Sequence, residues 1–190
     1  MKSRPILLFT AALSAGLAGA ARDAHALGPV DVEVGAKVGG GGAPFTDQPN
    51  PLGFGVGGRA GVEFSGWYGG LSLMYYVGES GTVSSVTASE HSFLYGLEAG
   101  YGVKLLGLVT LRGLIGVGNF TVDYAGIGPA SLSNLYLEPG FTALFSLGFW
   151  YVGADVNVLV LPGITDPLNP SAPSSWATAL TAHGQVGIKF

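Results

Sequence analysis

The sequence has no cysteine, few charged residues and no cluster of basic ones. Without cysteine, the chain has no disulfide framework, no thiolate metal site and no cysteine nucleophile. Charged residues make up 11% of the 190 residues, whereas they are about a quarter of an average soluble domain. Because the few basic residues are scattered, we expect no binding to nucleic acid.

Long hydrophobic runs are also missing beyond the N-terminus. The mean hydropathy is +0.45, yet no later run approaches the roughly 18 uninterrupted apolar residues of a membrane-spanning helix. Glycine is abundant, with 33 residues, which argues against long helices. A chain this apolar without spanning helices must place its apolar side chains on alternating strands.

The N-terminus has the features of a secretory signal peptide. Two basic residues precede an apolar stretch, Ile6–Ala21, and Ala24–Ala26 fits an A-x-A cleavage site, with Ala18–Ala20 as a second choice. The apolar stretch is short and polar residues follow it at once, which argues against a transmembrane anchor. We therefore expect a signal peptide over residues 1–26 and one domain over residues 27–190.

The last stretch of the chain, Trp176–Phe190, alternates strictly between an apolar or small face and a more polar face. A period of two predicts a strand. The stretch resembles the C-terminal strand of bacterial outer-membrane β-barrels, which ends in phenylalanine and is read by the barrel-assembly machinery. Val186, Ile188 and Phe190 carry that resemblance, and they form the assembly signal that it implies.

Seven earlier stretches alternate in the same way. The predicted strands are Val30–Val38, Leu52–Phe64, Trp67–Val77, His91–Val103, Leu108–Asn119, Asn134–Leu147 and Trp150–Leu161. Short turns between them alternate with long loops, predicted over residues 39–51, 78–90, 120–133 and 162–175. Such strands are long enough to span a membrane at a tilt, and the alternation of turns and loops is typical of outer-membrane barrels. Phe120–Tyr124 could extend the fifth strand, and Pro139 suggests a bulge in the sixth.

The charged residues and glycines indicate which face of the strands points outward. All charged residues of the predicted strands lie opposite the apolar face: Asp31, Glu33, Lys37, Arg59, Glu63, Glu98, Arg112, Glu138, Asp155 and Lys189. Their face also carries many glycines, which suit the crowded lumen of eight strands better than a soluble exterior. We therefore expect an all-β, eight-stranded antiparallel up-and-down transmembrane β-barrel with its apolar face on lipid. A soluble lipocalin-like barrel, with the apolar face inside, is the alternative.

Outward aromatic residues are predicted to form two girdles at the membrane interfaces. The girdle near the short turns comprises Phe64, Trp67, Tyr68, Tyr101, Phe149, Trp150 and Phe190. The girdle near the long loops comprises Phe54, Tyr75, Phe93, Tyr95 and Trp176.

The pattern over residues 28–190, together with the terminal phenylalanine, is similar to the small OmpA/OmpX-type outer-membrane β-barrel family. The resemblance implies a porin-like, monomeric barrel in the outer membrane of a Gram-negative cell envelope, with both termini periplasmic. It also implies contact with outer-membrane lipid and lipopolysaccharide, and with the barrel-assembly machinery. The family includes structural anchors, adhesins, host-factor binders and a few lipid enzymes.

Charged side chains inside a barrel need partners, because an unpaired one costs several kcal/mol. Strand order suggests the pairs Glu33–Arg59, Glu98–Arg112 and Asp31–Lys189. The predicted lumen network comprises Glu33, Arg59, Glu98, Arg112, Glu138, Asp155 and His183. We expect it to plug the lumen; the alternative is a narrow water path gated by Arg59 and Arg112.

The sequence offers no catalytic, cofactor or metal site. His91 and Ser92 are adjacent in a strand and point to opposite faces, so they cannot form a base–nucleophile pair. The predicted loops carry acidic residues and no lysine or arginine: Asp47, Glu79, Glu90, Asp123 and Asp166. We expect solvated loops, with weak Ca²⁺ or Mg²⁺ association as an alternative. The predicted role is structural, or surface interaction through the four loops; a narrow channel is the alternative, and a lipid-modifying enzyme a remote one.

Overall fold

The eight strands close into one antiparallel barrel. The computed structural model describes residues 30–42, 50–83, 86–125, 130–164 and 175–190. The strands are β1 (Val30–Gly42), β2 (Phe54–Phe64), β3 (Trp67–Val83), β4 (Val86–Leu105), β5 (Val109–Ala125), β6 (Ala130–Leu147), β7 (Trp150–Ile164) and β8 (Ser175–Lys189). Each strand pairs with its sequence neighbours, and β8 also pairs with β1. The predicted fold class is therefore confirmed.

The signal peptide predicted over residues 1–26 lies outside the described residues. Within the described ranges, no helix is long and apolar enough to cross a membrane.

The alternation along each strand sorts the side chains as predicted. Apolar side chains point outward and are exposed, such as Trp67 at 66% and Leu135 at 71%. Side chains at the intervening positions point into the barrel, where Met74, Tyr76 and Arg112 are fully buried. The alternative orientation, with the apolar face inside, is therefore excluded.

Tight turns join the strands at one end of the barrel, called here the turn end; the opposite end is the loop end. Ser65 and Gly66 both have positive φ, at 49° and 86°, and connect β2 to β3. Leu106 and Gly107, at 52° and 71°, connect β4 to β5, and Gly148, at 65°, lies in the β6–β7 turn. Positive φ at both central residues of the β2–β3 and β4–β5 turns, and at the first central residue of the β6–β7 turn, matches the twist of paired strands. These turns therefore fix the hairpins that the sequence predicts.

The strands run further toward the loop end than the sequence predicted. Because β3 continues to Val83 and β4 begins at Val86, most of the loop predicted over 78–90 is a paired hairpin, and that prediction was wrong. The strand β5 includes Phe120–Tyr124, as the sequence suggested. Hydrophobic alternation fades in these extensions, whereas the backbone pairing continues.

The bulge predicted at Pro139 is absent. Pro139 pairs with Ile115 of β5 without a change of register. Toward β7 the pairs Leu137–Val160 and Gly140–Asn157 keep one register, and the two β6 positions between them, Glu138 and Pro139, lack a partner on β7. Because proline has no N–H to donate, the ladder is interrupted without an inserted residue.

The strands are strongly staggered around the barrel. Following the paired residues once around from Asp31 leads back to Gly41, ten residues further along β1. Such a stagger requires the strands to tilt against the barrel axis. Residues at one depth in the lumen are therefore not ladder partners, and this determines which charges meet.

Most of the predicted girdle residues lie on the outer wall. At the turn end these are Phe64, Trp67, Tyr101, Phe149 and Trp150, and at the loop end Phe54, Tyr75, Phe93 and Tyr95. The placement of Tyr68 in the outer girdle was wrong, because its side chain is only 3% exposed and points inward. Phe190 is partly buried, and the side chain of Trp176 lies outside the described part of the structure.

Candidate functional site: the barrel lumen

A first group of charges, called the turn-end cluster, fills the lumen near the tight turns. It consists of Asp31, Glu33, Glu63, Lys104, Arg112 and Lys189. The Arg112 guanidinium donates to both carboxylate oxygens of Glu33, each at 2.9 Å. Its Nη2 also donates to Glu63 at 2.7 Å. A fork-like double contact is the strong geometry for an arginine and a carboxylate.

Two lysines complete the turn-end cluster from opposite sides of the mouth. Lys189, on β8, places its Nζ 2.8 Å from Glu63, 3.1 Å from Asp31 and 3.2 Å from Glu33. Lys104 lies 3.2 Å from Asp31 and 3.4 Å from Glu63. The predicted pair of Asp31 and Lys189 is thus present, and it links β8 to β1 where the barrel closes.

A second group, called the mid-lumen cluster, lies above the first. It consists of Lys37, Arg59, Glu98, Asp155, His183 and Gln185, all buried. Lys37 lies 3.2 Å from Asp155, and Arg59 lies 3.2 Å from Glu98. The His183 Nδ1 donates to Asp155 at 2.6 Å, and its Nε2 is hydrogen-bonded to the Tyr76 hydroxyl at 2.8 Å.

Tyr68 lies between the two clusters. The guanidinium carbons of Arg59 and Arg112 lie 4.6 and 4.2 Å from its ring centre. Arg59 Nε also donates to the Tyr68 hydroxyl at 3.2 Å. Stacking on an aromatic ring stabilises a guanidinium, so this buried tyrosine holds two arginines that would otherwise repel each other.

The seven predicted lumen residues all lie inside the barrel, but two of the predicted pairs were wrong. Glu33 pairs with Arg112 instead of Arg59, and Glu98 lies against Arg59 instead of Arg112. The stagger of the strands causes the exchange, because it brings Glu33 on β1 level with Arg112, near the start of β5, across the lumen. Glu138 has no ion pair among the described residues and accepts a hydrogen bond from Thr181 at 3.1 Å.

An apolar layer, called the apolar cap, packs inside the barrel toward the loop end. It consists of Leu52, Met74, Tyr76, Leu94, Phe120, Val122, Tyr136, Leu159, Leu161 and Ala179. Leu52 was predicted in the second strand, yet it precedes β2 and folds into the mouth. The Leu52 N–H donates to Asn50 Oδ1 at 3.0 Å, and the Pro51 carbonyl accepts from Ser92 Oγ at 2.6 Å. Sequence reasoning missed this layer, although its signal is the apolar residues at inward positions toward the loop end.

The lumen glycines make room for tyrosines. A Cβ added at Gly61 would lie 2.6 Å from the Tyr68 ring, and one at Gly187 would lie 2.5 Å from Tyr151 Cζ. The sequence had suggested only that small residues suit a narrow lumen. The structure shows that Gly61 and Gly187 leave the space that the buried rings of Tyr68 and Tyr151 occupy.

The structure separates the one adjacent pair of candidate catalytic residues. Ser92 is buried inside the mouth, whereas the His91 ring lies on the outer wall, stacked on Tyr75 with ring centres 6.0 Å apart. Their side chains therefore cannot act on the same substrate atom. Within the described residues, no group of three or more His, Asp or Glu side chains is placed to hold a metal ion.

Three of the five acidic residues that were predicted in loops lie in strands. Glu79, Glu90 and Asp123 belong to β3, β4 and β5, and Glu90 is buried in the mouth. Asp47 and Asp166 lie outside the described residues.

The C-terminal residues are held in the barrel seam. Val186 is exposed on the outer wall, and Ile188 and Phe190 are partly buried. The Val32 N–H donates to the Phe190 carbonyl at 2.7 Å, and the Phe190 N–H donates to the Val32 carbonyl at 3.0 Å. The end of the chain is thus tied to β1 through its backbone.

The chain is similar in structure to small outer-membrane barrels. No protein-family model matches it, and no curated protein sequence is detectably similar. Neisserial surface protein A (NspA) is 14% identical with a TM-score of 0.55, covering 85% of this chain and 97% of its own. A major outer membrane protein of Thermus thermophilus gives 14% and 0.55, with coverage of 85% and 99%.

Ail, the attachment invasion locus protein of Yersinia pestis, gives 17% identity and a TM-score of 0.51, with coverage of 85% and 97%. Ail has also been solved in complex with the heparin analogue sucrose octasulfate, a match at 18% identity and a TM-score of 0.53 over 85% and 97% of the two chains. At these identities the likeness concerns the fold, which is that of the eight-stranded outer-membrane β-barrels.

Proposed function

We propose that this protein is an integral outer-membrane β-barrel of a Gram-negative cell envelope, with a closed lumen and no enzymatic activity. One observation carries the proposal: the outer wall is covered by exposed apolar side chains on all eight strands. A soluble monomer rarely exposes an apolar patch larger than a few hundred Å². In a bilayer the same wall is buried in hydrocarbon, and the closed barrel leaves no strand edge unpaired there.

The proposed orientation places the turn end and both termini in the periplasm. Two features support it: a signal-like N-terminus, and an even number of strands joined by short and long connections in alternation. The loop end then faces the cell exterior and carries the segments through which a surface interaction would act.

The wall and its orientation can be tested together by cell fractionation and surface labelling. An epitope inserted within residues 165–174 should be labelled on intact Gram-negative cells, in protein that fractionates with the outer membrane. A matched epitope at Gly66, in the β2–β3 turn, should be labelled only after the outer membrane is permeabilised. Labelling of the Gly66 epitope on intact cells would reverse the orientation, and recovery in the soluble fraction would refute the barrel's placement.

The charged clusters and the apolar cap support the proposal of a closed lumen. Arg59 and Arg112, the residues of the alternative narrow channel, are both engaged with carboxylates. Above them the buried side chains of the apolar cap offer no polar groups to line an ion path, except for the hydroxyls of Tyr76 and Tyr136. The polar clusters therefore act as packing for the lumen, and not as the lining of a pore.

The role that remains is structural, or surface interaction at the loop end. The connecting segments there contain no lysine or arginine, so this chain offers no basic patch for a polyanion such as the one bound to Ail. The proposed partners are outer-membrane lipid and lipopolysaccharide around the wall, and the barrel-assembly machinery at Val186, Ile188 and Phe190. We propose that the barrel is monomeric.

Deleting the four loop-end segments one at a time tests the surface role. Loss of cell adhesion or of a captured partner for at least one deletion would support surface interaction, whereas unchanged behaviour for all four would leave the structural role. The enzymatic alternative is tested separately by mass analysis of lipid A from cells with and without the protein. Identical lipid A species are expected, because His91 and Ser92 lie on opposite sides of the wall.

A further inference from the structure

The tip of the β4–β5 turn carries an unusual residue for its position. Leu106 is 97% exposed, more than any other large apolar side chain of the described residues. Its φ is 52°, in the left-handed region, where asparagine, aspartate and glycine are favoured. In water both the side chain and the backbone would therefore favour a polar residue or glycine at this position. The β2–β3 turn, with Ser65 and Gly66, follows that preference.

The apolar surface of this turn is continuous with the outer wall. Leu105 and Leu108 flank Leu106 and are exposed by about half. The Leu108 carbonyl accepts a hydrogen bond from the Ser146 N–H at 2.8 Å, which sets the turn beside the end of β6. There Leu147 is also exposed on the outer side. The lipid-facing wall proposed above thus continues onto the turn through Leu105 and Leu147.

The one charge beside the turn points away from this surface. Lys104 reaches toward the barrel mouth, where its ammonium lies 3.2 Å from Asp31 and 3.4 Å from Glu63. Because the Lys104 ammonium is already paired with carboxylates at the mouth, burying the turn in an apolar medium would not leave this charge unpaired in hydrocarbon.

We propose that the β4–β5 turn is inserted in the bilayer leaflet at the turn end, with Leu105, Leu106 and Leu108 among phospholipid acyl chains. The occupant of this surface is lipid, because the surface is a continuation of the wall that the proposed function places in lipid. A leucine at a left-handed turn position is then understandable, since contact with hydrocarbon offsets its unfavourable backbone conformation. The inference rests on the proposed membrane location and adds that the β4–β5 side of the barrel extends into the bilayer as far as its turn.

Spin labelling tests the insertion, and the absence of native cysteine makes each label unique. The full barrel is reconstituted in phosphatidylcholine–phosphatidylglycerol vesicles as three single variants: Leu106→Cys, Ser65→Cys and Val117→Cys. Val117 is exposed in the middle of the outer wall and reports lipid, and Ser65 reports the β2–β3 turn. Collision with dissolved oxygen and with a water-soluble nickel chelate is measured for each nitroxide.

The Leu106 label should resemble the Val117 label, with oxygen collisions favoured several-fold over nickel collisions relative to the Ser65 label. A Leu106 label as open to nickel as the Ser65 label would overturn the insertion while leaving the membrane barrel intact. A Val117 label open to nickel would instead refute the proposed membrane location. These outcomes separate the two claims. Protection of Leu106 only after a periplasmic extract is added would also overturn the insertion, in favour of a protein partner.

Substitution of Leu106 gives an independent test, because a turn in lipid and a turn in water predict changes of opposite sign in the stability of the barrel. Asparagine suits the left-handed backbone of position 106 but not hydrocarbon, so Leu106→Asn should lower the urea midpoint of unfolding in vesicles. Leu106→Met keeps an apolar side chain of similar size and should leave the midpoint unchanged. A turn in water predicts the reverse order, with Leu106→Asn at least as stable as the wild type.

Discussion

Arg112 is the residue on which the turn-end cluster depends most. It is fully buried and holds two carboxylates, Glu33 and Glu63, through three hydrogen bonds. Removing one partner of a buried ion pair leaves uncompensated charge. The cluster is therefore stable only while each buried charge keeps its partner. Loss of Arg112 would leave the buried carboxylates of Glu33 and Glu63 without the guanidinium that binds them.

Replacement of Arg112 should consequently be severe. We expect Arg112→Ala to lower the free energy of unfolding by about 3–5 kcal/mol, measured by urea unfolding of the reconstituted barrel. Lys104→Ala is the matched control: its side chain is 49% exposed in the same cluster, and exposed pairs contribute roughly 0–1 kcal/mol. Equal losses for the two variants would contradict the assignment of Arg112 as the centre of the cluster.

The fit of tyrosine onto glycine can be tested with a double-mutant cycle at Gly35 and Tyr151. A Cβ at Gly35 would meet the Tyr151 hydroxyl, with Cζ at 3.1 Å. We expect Gly35→Ala to cost about 1–3 kcal/mol through overpacking, and less in a Tyr151→Phe background. Tyr151→Phe alone should be nearly neutral, because its buried hydroxyl has no hydrogen-bond partner among the described residues.

Gly113→Ala serves as the control for this cycle, since a Cβ at Gly113 meets nothing within 4 Å. Urea unfolding of all variants gives the coupling between the two sites. If Gly35→Ala were as harmless as Gly113→Ala, the packing role of the lumen glycines would be wrong.

At the scale of the strands, the sequence predicted each element but not its full length. Alternation located all eight strands because an outward apolar face and an inward polar face give a strong period of two. The signal weakens toward the loop end, where β1 continues through a run of glycines and β3 and β4 continue as a polar hairpin. Backbone pairing does not need alternation, so these extensions could not be predicted from hydrophobicity.

Charge pairing failed for a different physical reason. Adjacent strands suggested Glu33 with Arg59, whereas the tilt of the strands places Glu33 opposite Arg112. Tilt depends on the register of all eight pairings together, and no local pattern encodes it. Which residues line the lumen was therefore predictable from the sequence, whereas which of them touch was not.

The C-terminal strand β8 should be decisive for assembly. Phe190 is tied to Val32 through two backbone hydrogen bonds at the seam, and its side chain belongs to the proposed assembly signal. Covering Phe190 with a C-terminal extension, or Phe190→Ser, should reduce the heat-modifiable barrel in the outer-membrane fraction, measured by gel mobility with and without boiling. Phe149→Ser is the matched control, as an exposed turn-end phenylalanine outside β8.

Normal amounts of heat-modifiable barrel in the Phe190 variants would remove the assembly role of the C-terminal strand. Equal losses for Phe190→Ser and Phe149→Ser would assign the effect to the aromatic girdle in general.

At the scale of the molecule, the distribution of apolar and charged side chains between wall and lumen is the reverse of that in a soluble barrel. The wall is apolar and exposed, while the lumen holds two charged clusters covered by an apolar layer. The clusters satisfy one another across the lumen, and the cap separates them from the loop end. This arrangement supports the proposed function, in which the barrel holds its loop-end segments at the membrane surface.

The proposed closed lumen is tested most directly by the electrical conductance of the purified, refolded barrel in planar lipid bilayers. With the lumen filled by the turn-end cluster, the mid-lumen cluster and the apolar cap, we predict no steady conductance above that of the protein-free bilayer under conditions where a large porin conducts. Stable single-channel currents that change with substitution of Arg59 or Arg112 would contradict the closed lumen and establish the narrow channel instead.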